Sequence, residues 1–223
     1  DGPEKLKSNL YDRVLIAVGR KPNTVDIGLE ATKIKTDEKG FIYVDKKFQT
    51  AEPSIFAIGD VIGGAMLAHK ASAEGKAVVE ILTGENYRQK EHCVPAVVFT
   101  DPEIAWCGLT EDEAKSSNRK IQVAKFPWGA SGRAQTLGRH EGVTKLILDP
   151  DTDQVLGMGI SGVGAGELIG EGVLAVDHGL KAKDLAHSIH PHPTLSETIM
   201  ESAEAYYGKA THIYKRPAGR KRG

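Results

Sequence analysis

Two imidazoles and a carboxylate fall close together at His190, His192 and Glu197, in the stretch HPHPTLSE. Pro191 and Pro193 each bias the preceding residue away from helical geometry toward extended backbone, so both histidines are expected on stiff chain. Thr194 reads as a helix N-cap with Glu197 at the third helical position, the spacing of a capping box. An imidazole on rigid backbone, followed by a carboxylate at a helix start, suits general acid/base chemistry. Such a base titrates near neutrality and needs a partner that fixes its tautomer and stabilises its cation. The alternative is that Glu197 only closes a cap and both histidines are polar loop residues. A metal reading of His-x-His lacks a nearby third ligand.

Several elements must hold this stretch in place. Leu195, Ile199, Met200, Ala203 and Ala205 predict a helix after the cap. Upstream, strands are expected at Val94–Thr100, Ile121–Phe126, Val143–Leu148 and Val155–Ile160, the last two joined as a hairpin by the turn Asp149–Asp153. Thr110 with Glu113 caps a short helix, and further helices are expected over Gly166–Val176 and Lys181–His187. Strands followed by helices describe an α+β arrangement.

The first part of the chain has a different pattern. Tyr11–Val18 has strand length and is apolar on both alternating faces from Val14 to Val18, which predicts a strand buried on both sides, and Gly19–Asn23 follows as a loop at its end. Short extended pieces are expected at Phe41–Val44 and around Gln49–Thr50, then a buried strand at Ile55–Ile58 ending in Gly59-Asp60. A helix over Ala68–Leu82 carries Ala71, Ala73, Gly75 and Ala77, small enough to approach a sheet or ligand closely. Asp60, at a strand end facing that helix, could accept hydrogen bonds from sugar hydroxyls while the free helix N–H groups serve carbonyl or phosphate oxygens. Plain turn chemistry is the other reading of Asp60. Asp1–Asn9 reads as a polar turn, Gly84–His92 as a linker and domain boundary, and the end (Lys215, Arg216, Arg220, Lys221, Arg222) as a solvated basic tail.

Composition bounds the function class. The 223 residues are 40% hydrophobic and 26% charged with a net charge of -1, ordinary for a globular protein and without a field that would draw nucleic acid or membranes. No apolar run has the length of a membrane span. Cys93 and Cys107 lie in no ligand pattern and are expected as two buried free thiols, compatible with a reducing compartment. Gly157-Met-Gly159-Ile-Ser-Gly162 matches G-x-G-x-x-G, with Asp177 at a suggestive distance. Yet a dinucleotide fold needs that acid at the end of a second parallel strand, and Asp177 ends a helix, so the match is rejected.

Four stretches in order, VGRKPNT, IFAIGDVIGGAMLAHKASAEG, VPAVVFTDPEIAWCGLTEDEAK and HPHPTLSE, resemble the flavoprotein disulfide reductases; FPWGASGRA adds to the likeness. Within that family MLAHKA and the doubled HPHP look most like the C-terminal half of the dihydrolipoamide dehydrogenase branch. The resemblance implies an α/β remnant of FAD- and NAD-binding domains plus an α+β dimerisation (interface) domain with an antiparallel sheet. It places the end of the NAD-binding domain at residues 1–50, the C-terminal part of the FAD-binding domain at 51–92 and the interface domain at 93–223. Gly19 would lie against NAD, Asp60 would bond the ribitol of FAD, and Met66, Leu67, Ala68 and His69 would line the flavin. His192 would be the acid/base residue oriented by Glu197, with His190 secondary, serving the other subunit of a homodimer. The implied activity is oxidation of protein-bound dihydrolipoamide through a redox disulfide and FAD, with hydride passed to NAD. The implied partners are the lipoyl domains and acyltransferase core of a 2-oxoacid dehydrogenase complex, in bacterial cytoplasm or mitochondrial matrix.

Departures from the family pattern qualify that implication. The family's FAD-binding G-x-G-x-x-G, its redox C-x-x-x-x-C and its NAD glycine motif are not in the sequence, and Ala65 stands where the family's GxPMLAH version has proline. The chain is therefore expected to be a C-terminal portion, needing an N-terminal half or companion chain and inactive alone. A non-catalytic dimerisation or binding module, and a sister reductase of the glutathione reductase kind, stay open.

Overall fold

The structure, a computed structural model, describes residues 10–85 and 92–213. The expected turn over Asp1–Asn9, most of the linker and the basic tail lie outside the described residues. The chain divides into two compact units, Asp1–Gln89 and Lys90–Gly223.

In the first unit the strand expected over Tyr11–Val18 does not form, and Val14, Leu15, Ile16 and Val18 are exposed. A strand exists only through its ladder, and no described segment pairs with this one. Ile55–Ile58 likewise reduces to a single bridge between Gln49 and Phe56, and Phe41–Val44 to a bridge between Thr36 and Ile42. Helix α1 spans Ala68–Leu82, as the sequence predicts. Its small residues do permit a close approach. Gly59 has φ +74°, and a Cβ there would meet the Ala71 Cβ at 2.9 Å; one on Gly75 would meet Ile58 Cδ1 at 3.3 Å.

The second unit is built on a five-stranded antiparallel sheet, β1 (Ala96–Val98), β2 (Ile104–Gly108), β3 (Gln122–Pro127), β4 (Val143–Leu148) and β5 (Val155–Ser161), in the order β1-β2-β5-β4-β3. The hairpin at Asp149–Asp153 places β4 beside β5, with Thr144 opposite Ile160 and Leu146 opposite Met158. Between β2 and β3 lies α2 (Glu111–Ser116), and its Thr110–Glu113 capping box is complete. Helix α3 (Gly132–Leu137) follows β3, and α4 (Ala165–Asp177), α5 (Ala182–His187) and α6 (Glu197–Tyr206) follow β5. Helix α4 packs on β2 and β5, and α6 on β3 and β4. The core between them contains Phe126, Trp128, Leu146, Leu148, Met158, Ile160, Ile169 and Ile199, all buried.

Three local expectations are corrected. Strand β2 was not foreseen, because its outer positions carry the large Ile104 and Trp106 while the small Ala105 and Cys107 face inward. Helix α3 lies in a glycine-bearing stretch without apolar periodicity. Cys107 is buried but Cys93 is only half-buried; burial raises both thiols' pKa values, which disfavours thiolate. The rejected glycine motif has packing reasons for two of its glycines. A Cβ on Gly157 would lie 2.2 Å from the Leu109 carbonyl oxygen, and one on Gly162 would lie 2.3 Å from the Trp128 indole. Asp177, at the end of α4, accepts from the Cys93 amide at 2.7 Å and contacts His92 Nδ1 at 3.0 Å. It is a structural anchor rather than a ribose ligand.

Candidate active site

The first turn of α6 is fixed from the core outward. Trp128 sits between Gly142 and Gly162, where any Cβ would overlap its ring. Its indole N–H donates to Thr144 Oγ1 at 2.9 Å, and Thr144 Oγ1 lies 2.8 Å from Thr198 Oγ1. Thr198 donates onward to the Leu195 carbonyl at 2.6 Å, so the hydroxyl of Thr144 must donate to Thr198 and the chain of bonds has one direction. The far end of α6 is tied to the β4–β5 turn, where Tyr206 donates to Asp153 Oδ1 at 2.6 Å. That bond pushes the Tyr206 phenol up to about 12.

Glu197 is the first residue of this pinned helix. His192 Nδ1 lies 2.9 Å from Glu197 Oε1, and the Thr194 amide donates to Oε2 at 2.8 Å. The capping box is thus only half made. Ser196, not Thr194, precedes the helix, and the Thr194 hydroxyl is engaged with the Pro191 carbonyl and Ser196 Oγ instead. The Thr194 amide takes one Glu197 oxygen and the imidazole takes the other. Burial alone would raise its pKa, but the Thr194 amide and the His192 ring outweigh burial and hold it below the usual carboxylate range. An ionised carboxylate only accepts, so Nδ1 carries a proton and, whenever the ring is neutral, Nε2 presents its lone pair. The His192 side chain is 69% exposed, joined to its orienting carboxylate at one edge and open at the other. This arrangement can take and return a proton at one defined atom.

His190 is placed differently. Its side chain is 7% exposed, with Nε2 at 2.9 Å from Glu171 Oε1 and Nδ1 at 2.9 Å from the Ser188 carbonyl. Both nitrogens are occupied, so this ring anchors the loop to α4 and offers no free edge.

The remaining predicted residues lie in the first unit. Asp60, on a 3-10 turn over Gly59–Ile62, has a 47% exposed side chain and sits 3.4 Å from Arg20 Nη1. The same guanidinium donates to the Met66 carbonyl at 2.5 Å, which brings Asp60 and Met66 together. Leu67 caps α1 without a side-chain hydrogen bond, and Ala68 and His69 form the exposed start of that helix. Glu74 accepts from the Gly59 amide at 2.7 Å and pairs with Lys70, which steadies the turn bearing Asp60. An exposed carboxylate beside an uncapped fifteen-residue helix suits a ligand with hydroxyl donors and carbonyl or phosphate acceptors. Gly19 has φ +155°, which side chains rarely adopt, with open space beside it.

Sequence reasoning missed Arg20, Glu74, Trp128, Thr144, Thr198, Glu201 and His212. Only the i,i+4 spacings of Lys70–Glu74 and Glu197–Glu201 could have signalled any of them. Among the described residues no group of three or more His, Cys, Asp or Glu could hold a metal, and no helix is long and apolar enough to cross a membrane.

Comparison with known proteins adds to this geometry. Residues 94–203 match the family described as pyridine nucleotide-disulphide oxidoreductase, dimerisation domain, and residues 4–75 match pyridine nucleotide-disulphide oxidoreductase. A dihydrolipoyl dehydrogenase of Thermus scotoductus is 48% identical over 207 residues, 93% of this chain and 45% of the relative. Among solved structures, LpdA from Mycobacterium tuberculosis superposes with TM-score 0.78 at 28% identity, over 83% of this chain and 41% of that one. The HOCl-induced flavoprotein disulfide reductase RclA from Escherichia coli gives 0.77 at 34%, over 82% and 42%. The chain spans about half the length of the curated relatives it matches.

Proposed function

The chain belongs to the pyridine nucleotide-disulphide oxidoreductase family, and from that premise we propose that it is the C-terminal portion of an NAD-linked, FAD-dependent dihydrolipoamide dehydrogenase. The observation that carries this reading is the His192–Glu197 pair, 2.9 Å apart with the other imidazole edge open to solvent. Residues 1–50 close an NAD-binding domain, 51–92 an FAD-binding domain, and 93–223 form the interface domain of a homodimer. Asp60 would hold the ribitol of FAD, Met66, Leu67, Ala68 and His69 would line the flavin, and Gly19 would lie against NAD.

A dithiol must lose a proton before one sulfur can attack a disulfide, because the thiolate is the nucleophile and a free thiol near pKa 8.5 is mostly protonated at neutral pH. His192 would accept that proton at Nε2. Glu197, kept ionised by the Thr194 amide and the ring, stabilises the imidazolium and holds it in register. The same nitrogen returns the proton to the departing thiolate. FAD and NAD, when bound, supply the two-electron redox chemistry. The exposed apolar run at Val14–Val18 supports a covering partner, the N-terminal half or a companion chain. Lipoyl domains and the core of a 2-oxoacid dehydrogenase complex are the corresponding macromolecular partners, in bacterial cytoplasm or mitochondrial matrix.

The test is a full-length protein carrying this chain, loaded with FAD and assayed with dihydrolipoamide and NAD, and with glutathione disulfide and NADPH in parallel. Turnover of dihydrolipoamide is expected. Turnover of glutathione disulfide alone would move the assignment to a sister reductase, and turnover of neither would favour a non-catalytic module.

A further inference from the structure

Glu201 lies one helical turn beyond Glu197 on α6, and it is only 3% exposed. Like charges at i,i+4 repel along a helix, and a buried carboxylate without a partner is costly. The chain answers this by turning back after α6. His212 places Nδ1 2.5 Å from Glu201 Oε1, and its amide lies 3.4 Å from Oε2. His192, Glu197, Glu201 and His212 line one cavity of about 10 Å³ with Phe126 and Thr198. That volume is at the lower limit for a single water. His212 also helps to hold the Glu197 carboxyl below its usual range, after the stronger effects of the Thr194 amide and His192.

We propose that Glu201 and His212 form a second carboxylate–imidazole couple, a positioning pair that sets the charge felt by the first. The His212 ring and amide engage Glu201, so that Glu197 remains committed to His192. Among the described residues Glu204 also stands beside the couple; burial raises its carboxyl pKa and Glu201 further disfavours its charge. The cavity's remaining lining residues, Phe126, Ser131, Gly132 and Thr198, carry no titratable group. The effect on catalysis rests on the function proposed above; the coupling between the pairs does not.

The test is histidine NMR titration of the full chain, with the His192 resonance assigned by its loss in His192→Gln. Glu201→Gln removes a negative charge near the first pair and should lower the His192 midpoint. His212→Gln leaves Glu201 uncompensated and should raise it. Each shift is expected to be about half a pH unit. The double variant should return close to the original value, and His212→Lys, which sets a cation beside Glu201, should move the midpoint little. Opposite shifts support the couple. Shifts in one direction, as a purely structural disturbance would give, or no shifts, overturn it. Should Glu201→Gln fail to fold, the comparison of His212→Gln with His212→Lys decides, because the His212 ring is half exposed and its replacement leaves the core intact. Absence of dihydrolipoamide turnover in the full-length protein would remove the functional reading while leaving these titrations valid.

Discussion

The two units respond differently to similar sequence signals. Val143–Leu148 and Val155–Ile160 were read as strands and form β4 and β5, whereas the equally apolar Val14–Val18 forms no strand and lies exposed. The difference is one of connectivity. Antiparallel neighbours joined by a short turn bring their own ladder partner, while a strand of the doubly buried kind depends on partners distant in sequence. The second unit therefore holds a closed core and a rigid site, and the first holds a helix and a turn with much of its apolar surface uncovered.

That contrast can be broken in graded steps, each read as the unfolding free energy of this chain or as exchange protection of α1 amides. Trp128→Ala, which empties the space between Gly142 and Gly162 and cuts the bond to Thr144, should cost about 3–5 kcal/mol and unfold the second unit cooperatively. Gly59→Ala, at φ +74° and against Ala71, should cost about 1–3 kcal/mol and show in α1 exchange while the sheet stays protected. Leu15→Ser, on the exposed run, should change stability by less than about 0.5 kcal/mol. A large loss at Leu15, or none at Trp128, would erase the distinction between the units.

Legibility followed the same division. Helix α1, the β4–β5 hairpin and the Thr110–Glu113 cap could be read from the sequence, because each is made by residues near one another in the chain; spacing left His190 and His192 both open as partners of Glu197, and only the family resemblance singled out His192. Strand β2 was not legible, since its inward residues are small and its outward ones large. Nor were the Trp128–Thr144–Thr198 relay, the Arg20 contacts to Asp60 and Met66, or the Glu201–His212 pair. Those bonds join distant positions and leave no periodic trace. Thr194 shows how local rules compete. Its hydroxyl satisfied a different turn, while its amide still held one oxygen of Glu197 and the other met the imidazole.

The proposed chemistry depends on His192 as the proton acceptor. The most direct measurement is steady-state oxidation of dihydrolipoamide by a full-length protein carrying His192→Gln, with bound flavin checked by its absorbance. The expected result is a fall in turnover of about 10²–10⁴-fold with flavin retained. Turnover within about twofold of the unaltered protein, below the effect expected of a lost general base, would contradict it.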